Sequence, residues 1–108
     1  MTLDATLDAT VGDSVVFEFA VRNVGEEPVE LQFASGQIAD VAVRDGEAKV
    51  WCWSDDRLFT QALWSRTLES GESITEQFTW EQPRPGTYTA RATLAADREV
   101  AATTELTV

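Results

Sequence analysis

Cys52 sits in the run VWCWSDDRLFTQALW, residues 50–64, beside Trp51, Trp53, Trp64 and the acidic pair Asp55-Asp56. A thiol, paired carboxylates and clustered indoles could carry nucleophilic, metal or stacking chemistry, and the first two meet objections. The chain contains no histidine. Neither a Ser-His-Asp nor a Cys-His arrangement can therefore be built from it, and the commonest general base and metal ligand is missing. A reactive thiolate needs an electropositive setting or a nearby base. Cys52 instead falls between two tryptophans in an alternating run, which reads as a small buried hydrophobe. Calcium takes about six to eight oxygens from several positions, so Asp55-Asp56 alone reads as a solvated loop. Glu76 and Glu81 flank apolar positions of a predicted strand, but paired carboxylates for glycoside hydrolysis need a cleft. The residues predict no enzyme, no catalytic residue, no metal and no cofactor.

The tryptophans carry more. Trp51 and Trp53 share one face of the predicted strand EAKVWCW. A single Trp commonly fills the centre of an immunoglobulin-type core; of Trp51, Trp53 and Trp64, at least one is expected to be partly exposed. Exposed Trp with Arg57 or Arg66 nearby has the composition of a protein-binding hot spot. The first candidate surface is the irregular stretch from Ser54 to Arg66 with the adjoining Trp53; its candidate residues are Trp53, Arg57, Leu58, Phe59, Leu63 and Trp64. The second is the loop from Gln82 to Gly86, stiffened by Pro83 and Pro85 and carrying Arg84. A weaker alternative is a carbohydrate-binding module using Trp53 and Trp64.

The elements that must position these residues repeat with a period of two, the signature of half-buried strands. In SVVFEFAVRN, Val15, Phe17, Phe19 and Val21 share a face. PVELQF places Val29, Leu31 and Phe33 inward, and IADVAVRD places Val41 and Val43 inward. Asp45-Gly46 is a hairpin signal. In the returning strand, Val50 and Cys52 face one way and Trp51 and Trp53 the other. SDDRLFTQALWSRTL is the least regular part. Ser54 or Asp55 could cap a short helical turn there, or the stretch could be an extended crossover. ITEQFTW aligns Ile74, Phe78 and Trp80; TYTARATL aligns Tyr88, Ala90, Ala92 and Leu94; VAATTELTV aligns Val100, Leu106 and Val108. Tyr88 soon after Gly86 is a partial tyrosine-corner signal. Seven to eight short strands separated by turns predict an all-β fold, an antiparallel immunoglobulin-like β-sandwich. At 108 residues, a single domain over 1–108 is expected.

The formal net charge is −11, and Lys49 is the only basic residue that is not arginine. Nucleic acid and anionic membrane surfaces want the opposite sign, so neither is an expected partner. Such an acid-rich, lysine-poor chain resembles proteins of extreme halophiles. Dense carboxylates repel one another, and a weaker fold at low salt is expected. MTLDATLDAT lacks the basic and apolar regions of a signal peptide, and no run approaches a membrane helix. One cysteine allows no internal disulfide. A cytoplasmic location is expected.

The order of the segments resembles the BsuPI family, the intracellular proteinase inhibitors and their homologous domains. The resemblance rests on FEFAVRNVGEEPVELQFASGQIAD, VAVRDGEAKVWCWS, RLFTQAL, SGESITEQFTW and PGTYTARATL. Within these blocks Asn23, Pro28, Leu31, Phe33, Ser35, Gly36, Gln37, Asp40, Trp51, Trp53, Ser54, Phe59, Gly71, Gly86 and Tyr88 fall where the family pattern has similar residues. The family tends to place aromatic residues around the position of Asp40 and a basic residue where Cys52 stands; here Asp40 is flanked by Ile38-Ala39 and Val41. The resemblance implies an immunoglobulin-like sandwich and a protein partner, an intracellular serine protease for the name-giving type. It transfers no reactive-site residue. The alternative is a non-inhibitory immunoglobulin-like protein-interaction module.

Overall fold

Large apolar side chains at every second position decide where the chain buries itself. The computed structural model describes residues 2–108, the side chain of Asp56 excepted. Strand β2 (Val15–Asn23) buries Val15, Phe17, Phe19 and Val21 and turns Glu18 and Arg22 to solvent. It lies between β1 (Leu3–Val11) and β7 (Ser73–Trp80), antiparallel to both. A second sheet runs in the order β5 (Ala48–Cys52), β4 (Ala39–Asp45), β8 (Thr87–Leu94) and β9 (Ala101–Thr107). β3 (Val29–Phe33) and β6 (Trp64–Leu68) form a separate two-stranded ribbon. Every pairing is antiparallel. The architecture is an all-β, immunoglobulin-like sandwich.

The described residues form nine strands where seven to eight were expected. Two were not read from the alternation: β6, which closes the irregular run and pairs with β3, and β1, which pairs with β2 along its whole length, from Leu3 opposite Asn23 to Val11 opposite Val15. Leu3 and Leu7 are buried, but Ala5 and Ala9 between them are small and half-buried. The apolar alternation of LDATLDATV is therefore faint.

The two sheets meet through aromatic rings. Phe17 of β2 stacks on Trp51 of β5 with centroids 6.2 Å apart, and Trp51 stacks on Trp80 of β7 at 5.8 Å. Trp80 in turn meets the edge of Tyr88 of β8 at 5.1 Å. Burying each large apolar side chain contributes about 1.5–3 kcal/mol, and favourable ring geometry adds about 0.5–1.5 kcal/mol per pair. The Tyr88 hydroxyl donates to the Arg84 carbonyl at 2.7 Å. That is the hydrogen bond a tyrosine corner makes, and it ties the loop before β8 back onto the sheet.

Among the described residues, one polar side chain lies wholly inside. Asn23, at the end of β2, is 0% exposed. Its amide donates to the carbonyls of Leu68 (2.9 Å) and Glu27 (2.8 Å), and its oxygen accepts from the Gly25 N–H at 2.9 Å. A buried amide is tolerated only when satisfied in this way. Asn23 thereby fixes the turn between β2 and β3 against the end of β6. The ribbon is tied at its other end too: Gln32 and Asp97 exchange two hydrogen bonds, each 3.0 Å, linking β3 to the connection between β8 and β9.

Candidate functional site

The run that carries the densest chemistry begins on β5 and ends on β6. Trp51 points into the sandwich. A single 3-10 turn, Trp53–Asp56, follows at once. Neither Ser54 nor Asp55 caps it, as the sequence had suggested. The N-cap position is Cys52, whose side chain makes no cap bond. The capping group comes from β4 instead. Asp40 accepts from the Ser54 N–H (3.1 Å) and hydroxyl (2.5 Å), and from the Val41 N–H at 2.9 Å.

Cys52 is also not the buried hydrophobe expected. It is half-buried, and its thiol donates to the Asp40 carboxylate at 3.3 Å, with the Ser54 hydroxyl 3.6 Å away. The physical reason is strand alternation: Cys52 pairs with Ala42 on the face of β4 away from the core, the face that also carries Asp40. Asp55 approaches Lys49 at 4.0 Å, both exposed, a surface pair worth little. The Asp56 half of the Asp55-Asp56 pair lies outside the described side chains. Among the described residues no group of three or more His, Cys, Asp or Glu side chains could hold a metal ion. Glu76 is half-buried and Glu81 exposed on β7 and just beyond it.

Trp53 is the centre of the next cluster. Its indole lies edge-on to Phe78 of the core at 4.9 Å and tilted against Phe59 at 5.8 Å. The Arg57 guanidinium carbon sits 4.3 Å from the same ring, and Arg57 Nε donates to the Trp53 carbonyl at 3.1 Å. The structure thus brings Trp53, Arg57 and Phe59 together. Between the last two, Leu58 is fully exposed, at 101%.

From residue 57 to 63 the chain has no regular structure, so of the two sequence alternatives the crossover accounts for most of the stretch. It is nevertheless tied down. The Gly36 N–H donates to the Thr60 carbonyl at 2.9 Å, and a Cβ on Gly36 would fall 2.6 Å from Thr60 Oγ1. A side chain at Gly36 would push the Thr60 hydroxyl aside, whereas the Thr60 backbone nitrogen, at 3.5 Å, would remain in ordinary contact. At the far end, Trp64 Nε1 donates to the Ser35 carbonyl at 2.6 Å, and its ring stacks on Phe33 at 4.3 Å. The Ser35 hydroxyl in turn accepts from the Gln37 N–H at 3.1 Å, which shapes the loop that holds Thr60 and Trp64.

Leu63 and Trp64 face a shallow groove of about 420 Å³ with Gln32, Phe33 and Asp97, and Leu63 is 85% exposed. Arg84 is elsewhere. It lines a groove of about 570 Å³ with Asp45, Val50, Trp80 and Pro85, and it touches none of the Trp53 cluster. Trp51, Trp53 and Trp64 are all half-buried, each with a ring packed on a phenylalanine. Sequence reasoning missed Asp40 and the loop Ser35–Gln37 as site-building residues. The only signal was their match to the family pattern.

A family model described as BsuPI, intracellular proteinase inhibitor, matches residues 2–99. No curated protein sequence matches the chain. Among solved structures, the chain is similar to the CARDB domain of the PF1109 protein from Pyrococcus furiosus. The crystal structure of that domain, in complex with di-metal ions, aligns at TM-score 0.54 and 19% identity, covering 98% of this chain and 86% of that one. Its solution structure gives the same TM-score and identity, with 99% and 94% covered. A beta-glucosidase from Kluyveromyces marxianus aligns at TM-score 0.53 and 16% identity over 99% of this chain, which corresponds to 14% of that enzyme. At these identities the likeness is one of fold.

Proposed function

From the premise that the chain belongs to the BsuPI family of intracellular proteinase inhibitors, we propose that it inhibits a serine protease by presenting residues 57–63 to the protease cleft. It acts as one domain and by binding, not by catalysis. The observation that carries this reading is the segment itself: exposed, without regular structure, and tied to the sandwich at Arg57, Thr60 and Trp64.

A protease cleft binds peptide in an extended form, and a free peptide must surrender its conformational entropy to enter. Each side chain immobilised on binding costs about 0.5–1.5 kcal/mol, and a preorganised loop avoids much of that. Here the ordering is accomplished during folding. Leu58 and Leu63 offer apolar side chains to the partner, while Phe59 and Trp64 face inward as anchors. Arg84 and its proline-rich loop flank β5 and form a secondary contact surface.

The test is titration of the folded domain against a subtilisin-type serine protease. Saturable inhibition is expected, with loss when residues 58–62 are replaced by a Gly-Ser linker that leaves the β circular dichroism unchanged. A folded domain that does not inhibit at micromolar concentration rejects the proposal.

A further inference from the structure

Leu58 is held differently from Leu63, the other large exposed apolar side chain of the segment. Both neighbours of Leu58 are anchored, and both to the same indole. Arg57 lies over the Trp53 ring and donates to the Trp53 carbonyl. Phe59 packs against the Trp53 ring from its own position, and Thr60 is bound through its carbonyl to Gly36. Arg57 has extended backbone angles, φ −120° and ψ 147°. Leu63 is anchored only on its Trp64 side, with exposed Ala62 before it.

Building on the inhibitory reading above, we propose that Leu58–Phe59 is the peptide bond offered to the protease nucleophile, and that Trp53 clamps both sides of it so that cleavage reverses. The protease serine oxygen would attack the Leu58 carbonyl carbon. Its proton passes through the protease histidine to the Phe59 nitrogen as the carbon–nitrogen bond breaks. The products are an ester between the protease serine and Leu58, and a free α-amine on Phe59. In an ordinary substrate that amine diffuses away and water hydrolyses the ester. Here Phe59 stays on Trp53 and Thr60 stays on Gly36, while Arg57 keeps the acyl side on the same indole. The amine remains beside the ester, where a held nucleophile outcompetes water. It attacks the ester, expels the serine and restores the bond without any further reactant.

The same geometry selects the target class. Arg57 has its guanidinium committed to Trp53, so the side chain offered to the primary pocket is the leucine. The partner is a serine protease with a large apolar primary pocket, not one that selects basic side chains.

The whole domain is incubated with a subtilisin-type, a chymotrypsin-type and a trypsin-type protease, and inhibition and bond cleavage are followed together. Intact protein and protein cut at Leu58–Phe59 should reach one constant ratio from either starting point. Leu58→Arg, a change at a fully exposed position, should weaken inhibition of the apolar-pocket enzymes by about 100-fold and create inhibition of the trypsin-type enzyme. Arg57→Ala combined with Phe59→Ala should turn lasting inhibition into inhibition that decays as the chain is hydrolysed. If the domain inhibits but Leu58→Arg leaves selectivity unchanged, or cleavage occurs at another bond, the register is wrong and the general inhibitory reading stands. If the folded domain inhibits none of the three, both fall.

Discussion

Replacing Gly36 by alanine separates the positioning of residues 57–63 from the stability of the sandwich. The added Cβ would lie 2.6 Å from Thr60 Oγ1, while ordinary contact begins at 3.4 Å. The Thr60 hydroxyl must therefore retreat by about 0.8 Å, and it sits on the segment tied by the Gly36–Thr60 hydrogen bond. Overpacking costs about 1–3 kcal/mol in a closed core. Thr60 is exposed, so the lower end applies. The smaller entropy of the unfolded alanine chain returns about 0.4–1 kcal/mol. Denaturant unfolding should consequently change by less than about 1 kcal/mol. On the proposed reading inhibition depends on where Leu58 sits, and it should weaken about tenfold, equivalent to about 1.4 kcal/mol. Thr60→Ala removes Oγ1 and leaves Thr60 Cβ at 3.8 Å from the new methyl position. The double variant Gly36→Ala/Thr60→Ala should then recover most of the lost inhibition. Progress-curve inhibition constants and urea denaturation measure both quantities. A double variant no better than Gly36→Ala alone would refute the contact argument, and a loss of several kcal/mol in the single variant would move Gly36 into the folding of the core.

Three further outcomes are expected. Asn23→Ala strands two carbonyls and one N–H, one partner fully buried, and should cost about 3 kcal/mol in urea denaturation; Asn23→Asp, which loses both amide donors, should recover none of it. Asp40→Ala leaves the Ser54 N–H without its acceptor and should cost about 1–3 kcal/mol, with a change in near-ultraviolet circular dichroism as the turn under Trp53 loosens. With a net charge of −11, the melting temperature should rise as salt goes from about 0.1 to 1 M and the screening length falls from about 10 to 3 Å. A flat or falling melting temperature would show that charge repulsion does not limit this fold.

How legible the sequence was depended on side-chain size and on distance along the chain. β2, β3, β7 and β8 stood out because Val, Phe, Leu, Trp and Tyr alternate with polar residues at each of them. β1 did not, since alanines take half of its inward positions. Tyr88 was readable from its place after Gly86, and its hydroxyl makes the expected bond. The candidate surface was harder. Its residues lie in one run, yet what holds them does not: Asp40 is 14 residues from Ser54, and Ser35 is 29 residues from Trp64. Local pattern carries no trace of such pairings. Cys52 was misjudged for a different reason: alternation sets it opposite Trp51, and with that indole against the core the thiol turns to the outer face, where it meets Asp40.

The tethers of the 57–63 segment come largely from outside it, from Ser35, Gly36 and Trp53. Leu58, Gln61, Ala62 and Leu63 face solvent, so folding places almost no demand on their identity. Substitutions there can accumulate without risk to the sandwich, whereas those at the tethers displace the segment itself. If this segment is the inhibitory surface, as proposed, related chains could keep one scaffold and drift toward different proteases through a handful of positions, with stability and target choice inherited separately.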